Sequence, residues 1–277
     1  MKSLPFLNPA AGSPAVRNPG RPAVIVPTQA IDADELAAEC AAAAATGIVD
    51  AVEWRIDPLL VVASGSAQGG VHRSAHSLAE AALRLLPSAL TAELPILLTV
   101  RTCFEGGQVE ITEDDYAEVV RELIAGVAGN VDSGVPVAID VEIDRAESGS
   151  LIASAQEAGV PVVASHHNFE STDSAERLLK TFAAMSEAGA HVAKVAMMPQ
   201  APADVLRLLE ATAAADASLA VPVLGISMGS LGRTSRIMGA DFGSCATFAQ
   251  IGQASAPGQI EASVLAEILD RVGPRCG

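Results

Sequence analysis

Eight short runs rich in valine, isoleucine and leucine recur along this chain, at about 23–27, 48–55, 95–101, 135–143, 160–166, 190–197, 221–227 and 242–247, with helix-length stretches between them. Each run is almost continuously apolar, the pattern of a strand buried on both faces of a parallel sheet. The intervening segments, among them Asp32 to Thr46, Ser77 to Leu90, Glu113 to Ala128, Ser174 to Glu187, Ala203 to Ala213 and a last one from Ile260 to Val272, carry alanine, leucine and charged residues at helical spacing. Eight such alternations predict an α/β protein closed into one (β/α)8 TIM barrel, and the 277 residues suit a fold that typically takes roughly 250. An open doubly wound sheet is the runner-up, but no GxGxxG follows the first run. Residues 1–22, rich in Pro, Gly and Asn, are expected to form a loose or hairpin-like leader, with the barrel over 23–277.

Composition narrows the partners. Seventeen Lys and Arg against 33 Asp and Glu leave a formal charge of −16, a field that repels nucleic acid and anionic membranes. It would also repel an anionic small molecule unless positive side chains are concentrated inside a site. No apolar segment approaches the ~18 residues of a membrane span, and the N-terminus lacks the apolar stretch of a secretory signal, so a cytoplasmic protein is expected. Cys40, Cys103, Cys245 and Cys276 form no CxxC pair and no Cys/His ligand spacing, and His72 and His76 lack a third ligand nearby. Neither metal nor disulfide is indicated.

In such a barrel, chemistry gathers at the C-terminal ends of the strands. The polar residues of this sequence fall there: Glu53 and Arg55, Arg101 with Glu105-Gly106-Gly107, Asp140 and Glu142, Ser165 and His167, Lys194, Met228, and the segment 252–259. Lys194 is one of only three lysines, with Lys2 and Lys180, and it interrupts the apolar run His191 to Met198. Burial disfavours a charged amine, so a lysine there can present a neutral nucleophile able to form a Schiff base with a ketone. The competing reading is a strand-end ammonium paired with Asp140 or Glu142. Alternation puts Lys194 and Ala196 on one face, and Val163, Ser165 and His167 on the same kind of face of the preceding strand, with His166 opposite. An imidazole and an amine on adjacent strands would thus stand side by side.

Glu53 and Arg55 share a face and could hold vicinal hydroxyls or form a structural ion pair; Arg101 has the same two readings. Glu105 could orient a histidine ring by accepting its N–H, with Gly106-Gly107 supplying the turn. Arg236, beyond the seventh run, presents a forked donor suited to a carboxylate. The loop Ser255-Ala256-Pro257-Gly258-Gln259 could close over a ligand. A lysine-imine aldolase on the same fold, or a barrel that binds without catalysing, would use the same frame.

These stretches together resemble the type I 3-dehydroquinate dehydratases, the Schiff-base class of the shikimate pathway. The resemblance is carried by Glu53-Trp54-Arg55-Ile56-Asp57, Thr99-Val100-Arg101, Glu105-Gly106-Gly107, Ser165-His166-His167-Asn168-Phe169, Ala193-Lys194-Val195-Ala196-Met197-Met198-Pro199-Gln200, Ser227-Met228-Gly229, Ser235-Arg236, Phe242-Gly243-Ser244 and Ser255-Ala256-Pro257-Gly258-Gln259-Ile260, in the family's order. It implies a barrel that dehydrates 3-dehydroquinate to 3-dehydroshikimate without metal or organic cofactor, acting as a homodimer on a small carboxylate substrate. By motif position, Lys194 looks like the imine-forming lysine, His167 like the acid/base histidine and Glu105 like the carboxylate that orients it. Glu53, Arg55 and Arg101 would hold ring hydroxyls. Arg236, Ser255 and Gln259 would hold the carboxylate and the closing loop, with Met228 in the pocket wall. Two positions depart from the pattern: Pro27, where a serine is common, and His166, where other residues are common.

Overall fold

The computed structural model describes residues 1–64, 74–129, 134–252 and 256–272. Strands β1 Ala23–Thr28, β2 Ala51–Arg55, β3 Ile96–Thr99, β4 Val137–Glu142, β5 Val162–Asn168, β6 Val192–Met197, β7 Val223–Ser227 and β8 Ala246–Gln250 are parallel and lie side by side in chain order from β1 to β7, with β8 against β1. The seam between β7 and β8 is bridged by a parallel pairing of Val223 with Ser244 and by the Cys245 N–H donating to the Val223 carbonyl at 2.8 Å. A two-residue strand β9, Ile260–Glu261, extends the sheet beside β8. The expected (β/α)8 barrel is thereby formed.

Helices α1 Pro14–Arg17, α2 Ala33–Ala45, α3 Asp57–Ser64, α4 Ala75–Leu90, α5 Glu113–Ala128, α6 Ser148–Glu157, α7 Ala175–Glu187, α8 Pro202–Ser218, α9 Arg233–Ile237 and α10 Ala262–Val272 make up the helical elements among the described residues. Their starts follow side-chain chemistry: Asp32, Ser74, Thr112 and Ser174 each accept a backbone N–H from the first turn of the helix that follows, satisfying donors a helix cannot satisfy internally. None of these helices is long and apolar enough to cross a membrane.

Strand alternation sorts the strand residues into two cores. One face of each strand meets the helices, as with Val24, Val52, Trp54, Leu98, Val141, Ala164, Val195 and Met197. The other face fills the barrel: Ala23 and Ile25, Ala51, Leu97, Ala138, Val163, Val192 and Ala196, Leu224 and Ile226, Ala246 and Phe248. Above this apolar filling the same inward positions turn polar, as at Glu53, Arg55, Asp140, Glu142, Ser165 and Lys194.

Of the two forms expected for the leader, it takes the one without a hairpin. Residues 1–22 hold a 3-10 turn at Pro9–Ala11 and the one-turn α1, and no strand, so no hairpin forms. Leu4 and Phe6 are buried in the barrel's interior cluster, and the terminal ammonium and Lys2 both pair with Asp216 at the end of α8. The prolines that break regular structure leave a segment able to fold across the base of the barrel and seal it. The last strand also shifts, from the expected 242–247 to Ala246–Gln250, because Gly239–Phe242 winds into a 3-10 turn and Gly243 adopts φ +92°.

Candidate active site

The mouth of the barrel holds a solvent-open cavity. Lys194 from β6, His167 from β5, and Glu53 and Arg55 from β2 line it, with Arg101 and Glu105 arriving from the segment after β3. Met228, Arg236 and Gln259 complete it from the β7 and β8 side. Every site residue expected from the sequence meets at this cavity except Ser255, which lies outside the described residues. The register places Lys194 level with Ser165, and His167 level with Ala196 one inward layer higher. The amine and the imidazole therefore occupy successive layers of one wall, on neighbouring strands.

Lys194 is 3% exposed. Its Nζ lies 3.3 Å from Glu53 Oε1 and 3.8 Å from Asp140 Oδ2, and 4.5 Å from the centre of the Phe248 ring. Lys194 thus has carboxylate partners in the free protein, Asp140 as the competing reading offered and Glu53 in place of Glu142. Glu53 Oε1 is also held by the Thr99 hydroxyl at 3.3 Å. Asp140 Oδ2 is buried without a hydrogen-bond partner, while its Oδ1 is taken by Arg101 and by the Ser165 hydroxyl, each at 2.7 Å.

Glu53 and Arg55 do not pair with each other. Arg55 instead makes a forked contact with the buried Asp57, at 2.7 and 2.8 Å, and Asp57 Oδ2 also accepts the Gln108 N–H at 2.9 Å. This clamp ties β2 to the loop carrying Glu105. Arg101 is 2% exposed and donates to Glu105, Asp140, Glu142 and Ser165 at 2.7 to 3.0 Å. A guanidinium so occupied is well placed to fix the surrounding carboxylates, more than to reach a hydroxyl.

The imidazole has a defined orientation. His167 Nδ1 lies 2.8 Å from Glu105 Oε2, which leaves Nε2 as the nitrogen available to a ligand. Burial, followed by the positive charges of Arg101, Lys194, Arg55 and His166, holds this histidine well below its ordinary value. It is a neutral base near pH 7. Glu105 is pushed up to about 8, chiefly by burial, with Arg101 opposing and Glu142 and Asp140 reinforcing the rise. The loop supplying it turns at Gly106, where φ is +78° and a Cβ would come within 2.4 Å of the Phe169 ring.

Arg236 is the exception among the cavity's cations. Lys194, Arg55 and Arg101 each have carboxylate partners, whereas Arg236 has none among the described residues. Its Nη atoms donate only to the carbonyls of Phe248 and Pro257, both at 3.1 Å, and its Nε is buried without a partner. Burial draws it down to about 10, which still leaves it charged at neutral pH. The Pro257 carbonyl also accepts the Gly229 N–H, and a Cβ on Gly258 would lie 2.2 Å from the Gly229 carbonyl oxygen. The loop that presents Gln259 is therefore docked closely on the turn after β7.

Three contributors escaped the sequence reading: Phe248, Asp57 and the pairing of His166. Phe248 was assigned beyond the end of a strand; placed correctly, its parity with Ala246 signals an inward ring. Glu105, Asp144 and His166 present ligand-type atoms within 4.8 Å of one another. Arg101 and His167 already hold Glu105, and His166 contacts Asp144 at 2.9 Å, so this group is an internal ion-pair cluster.

Known proteins share this arrangement of sequence and fold. Residues 24–274 match the family described as type I 3-dehydroquinase. The 3-dehydroquinate dehydratase of Klebsiella pneumoniae (strain 342) is 39% identical over 233 residues, covering 82% of this chain and 85% of that protein. That of Enterococcus faecalis is 36% identical over 253 residues, covering 90% and 92%. The crystal structure of type I 3-dehydroquinate dehydratase from Clostridium difficile with covalently modified comenic acid superposes with a TM-score of 0.74 at 30% identity, covering 91% of this chain and 92% of that one.

Proposed function

Because the chain belongs to the type I 3-dehydroquinase family and is a hydro-lyase, we propose that it removes water from 3-dehydroquinate to give 3-dehydroshikimate through a Schiff base on Lys194, with His167 as acid and base. The observation that carries this reading is the convergence of Lys194, His167 and an arginine without an acid partner on one cavity. An amine, an oriented neutral imidazole and a carboxylate receptor are the groups a keto acid bearing a β-hydroxyl requires.

The substrate carboxylate binds Arg236, and the ring hydroxyls meet Glu53 and Arg55. Lys194 must lose a proton before it attacks, and Glu53 Oε1 and Asp140 Oδ2 are both within 4 Å to receive it. The Nζ lone pair then adds to the ketone carbon and a nitrogen proton passes to the oxygen to give the carbinolamine; the proton that Lys194 gave up is relayed by His167 to that hydroxyl, which leaves as water and leaves a cationic imine. That cation withdraws electrons from the adjacent carbon. His167 Nε2 takes a proton there, the electron pair enters the enamine, and the enamine expels the β-hydroxyl as His167 returns the proton to it. Hydrolysis of the conjugated imine releases product and restores the amine. Glu105 keeps Nδ1 of His167 engaged, so that one nitrogen performs both transfers.

Reduction with borohydride in the presence of 3-dehydroquinate is expected to attach the substrate skeleton irreversibly to the peptide containing Lys194, read by peptide mass analysis. Active enzyme that yields no adduct, or an adduct on Lys2 or Lys180, contradicts the mechanism. The receptor is tested separately. Arg236→Gln removes a charge-assisted hydrogen-bond donor, worth about 1.5–3 kcal/mol, so KM for the carboxylate substrate should rise about 10- to 100-fold, with a smaller change in kcat.

As for assembly and location, we propose a homodimer in the cytoplasm, with the barrel at 23–277 as the catalytic unit and no metal or organic cofactor. The all-protein electrophile supports the last point, since the imine itself serves as electron sink. Analytical ultracentrifugation and activity after exhaustive chelation test the two statements.

A further inference from the structure

We propose that His166, one residue before the cavity histidine and on the opposite face of β5, is a positioning residue: as a cation facing Glu105 Oε1 it counters the effect of burial on that carboxyl, and so sets the pH range in which Oε2 orients His167. The proposal rests on His167 being the residue that moves protons. Glu105 is the physical link. Its two oxygens face two successive histidines, Oε2 at 2.8 Å from His167 Nδ1 and Oε1 at 3.8 Å from His166 Nδ1.

His166 is 7% exposed and sits in an acidic nest. Asp144, after β4, lies 2.9 Å from Nδ1, and Asp173, before α7, lies 3.6 Å from Nε2. Neither ring nitrogen has a well-directed hydrogen bond, so its attraction to the surrounding acids is chiefly between charges. The other charged groups nearby are largely spoken for. Arg177 pairs with Asp173 at 3.2 Å, Arg145 with Glu113 at 3.0 Å, and Arg101 with Glu142 as well as Glu105. A second solvent-reaching cavity, lined by Glu113, Asp144, Arg145 and His166 and sharing Glu105 and His167 with the catalytic one, gives the ring a route to exchange protons with water. Burial works against its charged form, but the contact with Asp144 and the charges of Glu105 and Asp173 prevail and lift it above the ordinary histidine value. Its charge in turn lowers both Glu105 and His167.

The sign follows. Removing a positive charge from beside Glu105 makes the Glu105–His167 pair hold its proton to higher pH, and a charge at this separation moves a neighbour by about one unit. In His166→Asn, the apparent midpoint of His167, read by nitrogen-15 NMR of the free protein and assigned with a His167→Asn control, should rise by about one pH unit. The acid limb of kcat should move with it, giving about a tenfold loss on the limb and a far smaller one at high pH. His166→Lys, which keeps a cation there, should return both to or below the wild-type position. A midpoint unmoved in His166→Asn, or moved upward equally in His166→Lys, overturns the proposal. Failure of the Schiff-base reading is seen elsewhere, as turnover that survives loss of Lys194, and it leaves the NMR midpoint free to report on His166.

Discussion

Lys194→Ala is expected to lower kcat for 3-dehydroquinate dehydration by roughly 10⁵-fold or more, because it removes the atom to which the substrate is covalently joined, and no neighbouring group can replace an imine nucleophile. Lys2 lies at the opposite end of the barrel against Asp216 and Lys180 is on the surface of α7, so neither can reach the cavity. Binding should survive in weakened form, since Arg236 and Arg55 are untouched. Equilibrium dialysis with substrate therefore separates lost chemistry from a lost site. The substitution also has a structural consequence. It leaves Glu53 and Asp140 facing one another without the cation that stands 3.3 and 3.8 Å from them, and breaking a buried ion pair costs about 3–5 kcal/mol. Lys194→Gln, which retains a hydrogen-bond donor near Glu53, should restore part of the melting temperature and none of the turnover. Recovery of turnover along with stability would mean that the lysine is a structural ammonium after all.

The barrel was legible because its signal is periodic and repeated. Each strand is buried on both faces, so each appears as an apolar run, and inward parity alone puts Lys194 and His167 on the barrel side of their strands. What was not legible came from pairings between distant segments. Arg55 was read against Glu53, its neighbour in parity, whereas the forked contact goes to Asp57, whose backbone has already left the strand for α3. Sequence spacing gives the face of a strand but not the path of the chain after it ends. The same limit hid the partner of Lys194. Burial of a lone amine argues for a neutral nucleophile, and only the structure brings Glu53, from a strand far away in sequence, to its side. Phe248 was missed for a local reason, since the glycine-rich turn after α9 shifts the last strand and with it the parity of its residues. Helices α3 and α6 start at Asp57-Pro58 and Ser148-Gly149-Ser150, residue types that favour turns, and the packing of Leu59, Leu60, Leu151 and Ile152 overrides that preference.

The division of labour between the two groups gives the second large effect. His167→Ala should lower kcat by about 10³-fold, within the range general acid–base catalysis supplies, while leaving the imine able to form. Addition of an amine to a ketone can proceed with water supplying and removing protons, slowly but without a positioned base. Abstraction of a carbon-bound proton and departure of a hydroxyl group cannot do so at a useful rate, because both need a proton acceptor or donor held against the substrate. The step after imine formation is therefore the one that stalls, and the covalent intermediate should accumulate. Intact-protein mass spectrometry after mixing with 3-dehydroquinate and quenching with borohydride should show most of the His167→Ala chains carrying the substrate skeleton, whereas wild-type protein shows a smaller fraction at the same time point. The pH profile should change in kind as well as height. Wild-type turnover should lose its acid limb only well below neutrality, because burial and four nearby cations hold His167 unprotonated down to low pH, and the variant should lack a limb belonging to this imidazole. Glu105 keeps its contact with Arg101 at 2.9 Å in the variant, so the fold is expected to persist, and a melting transition near that of the wild type would confirm that the lost rate is chemical. A variant that neither turns over nor accumulates adduct would place His167 at imine formation itself and reverse the order of roles argued above.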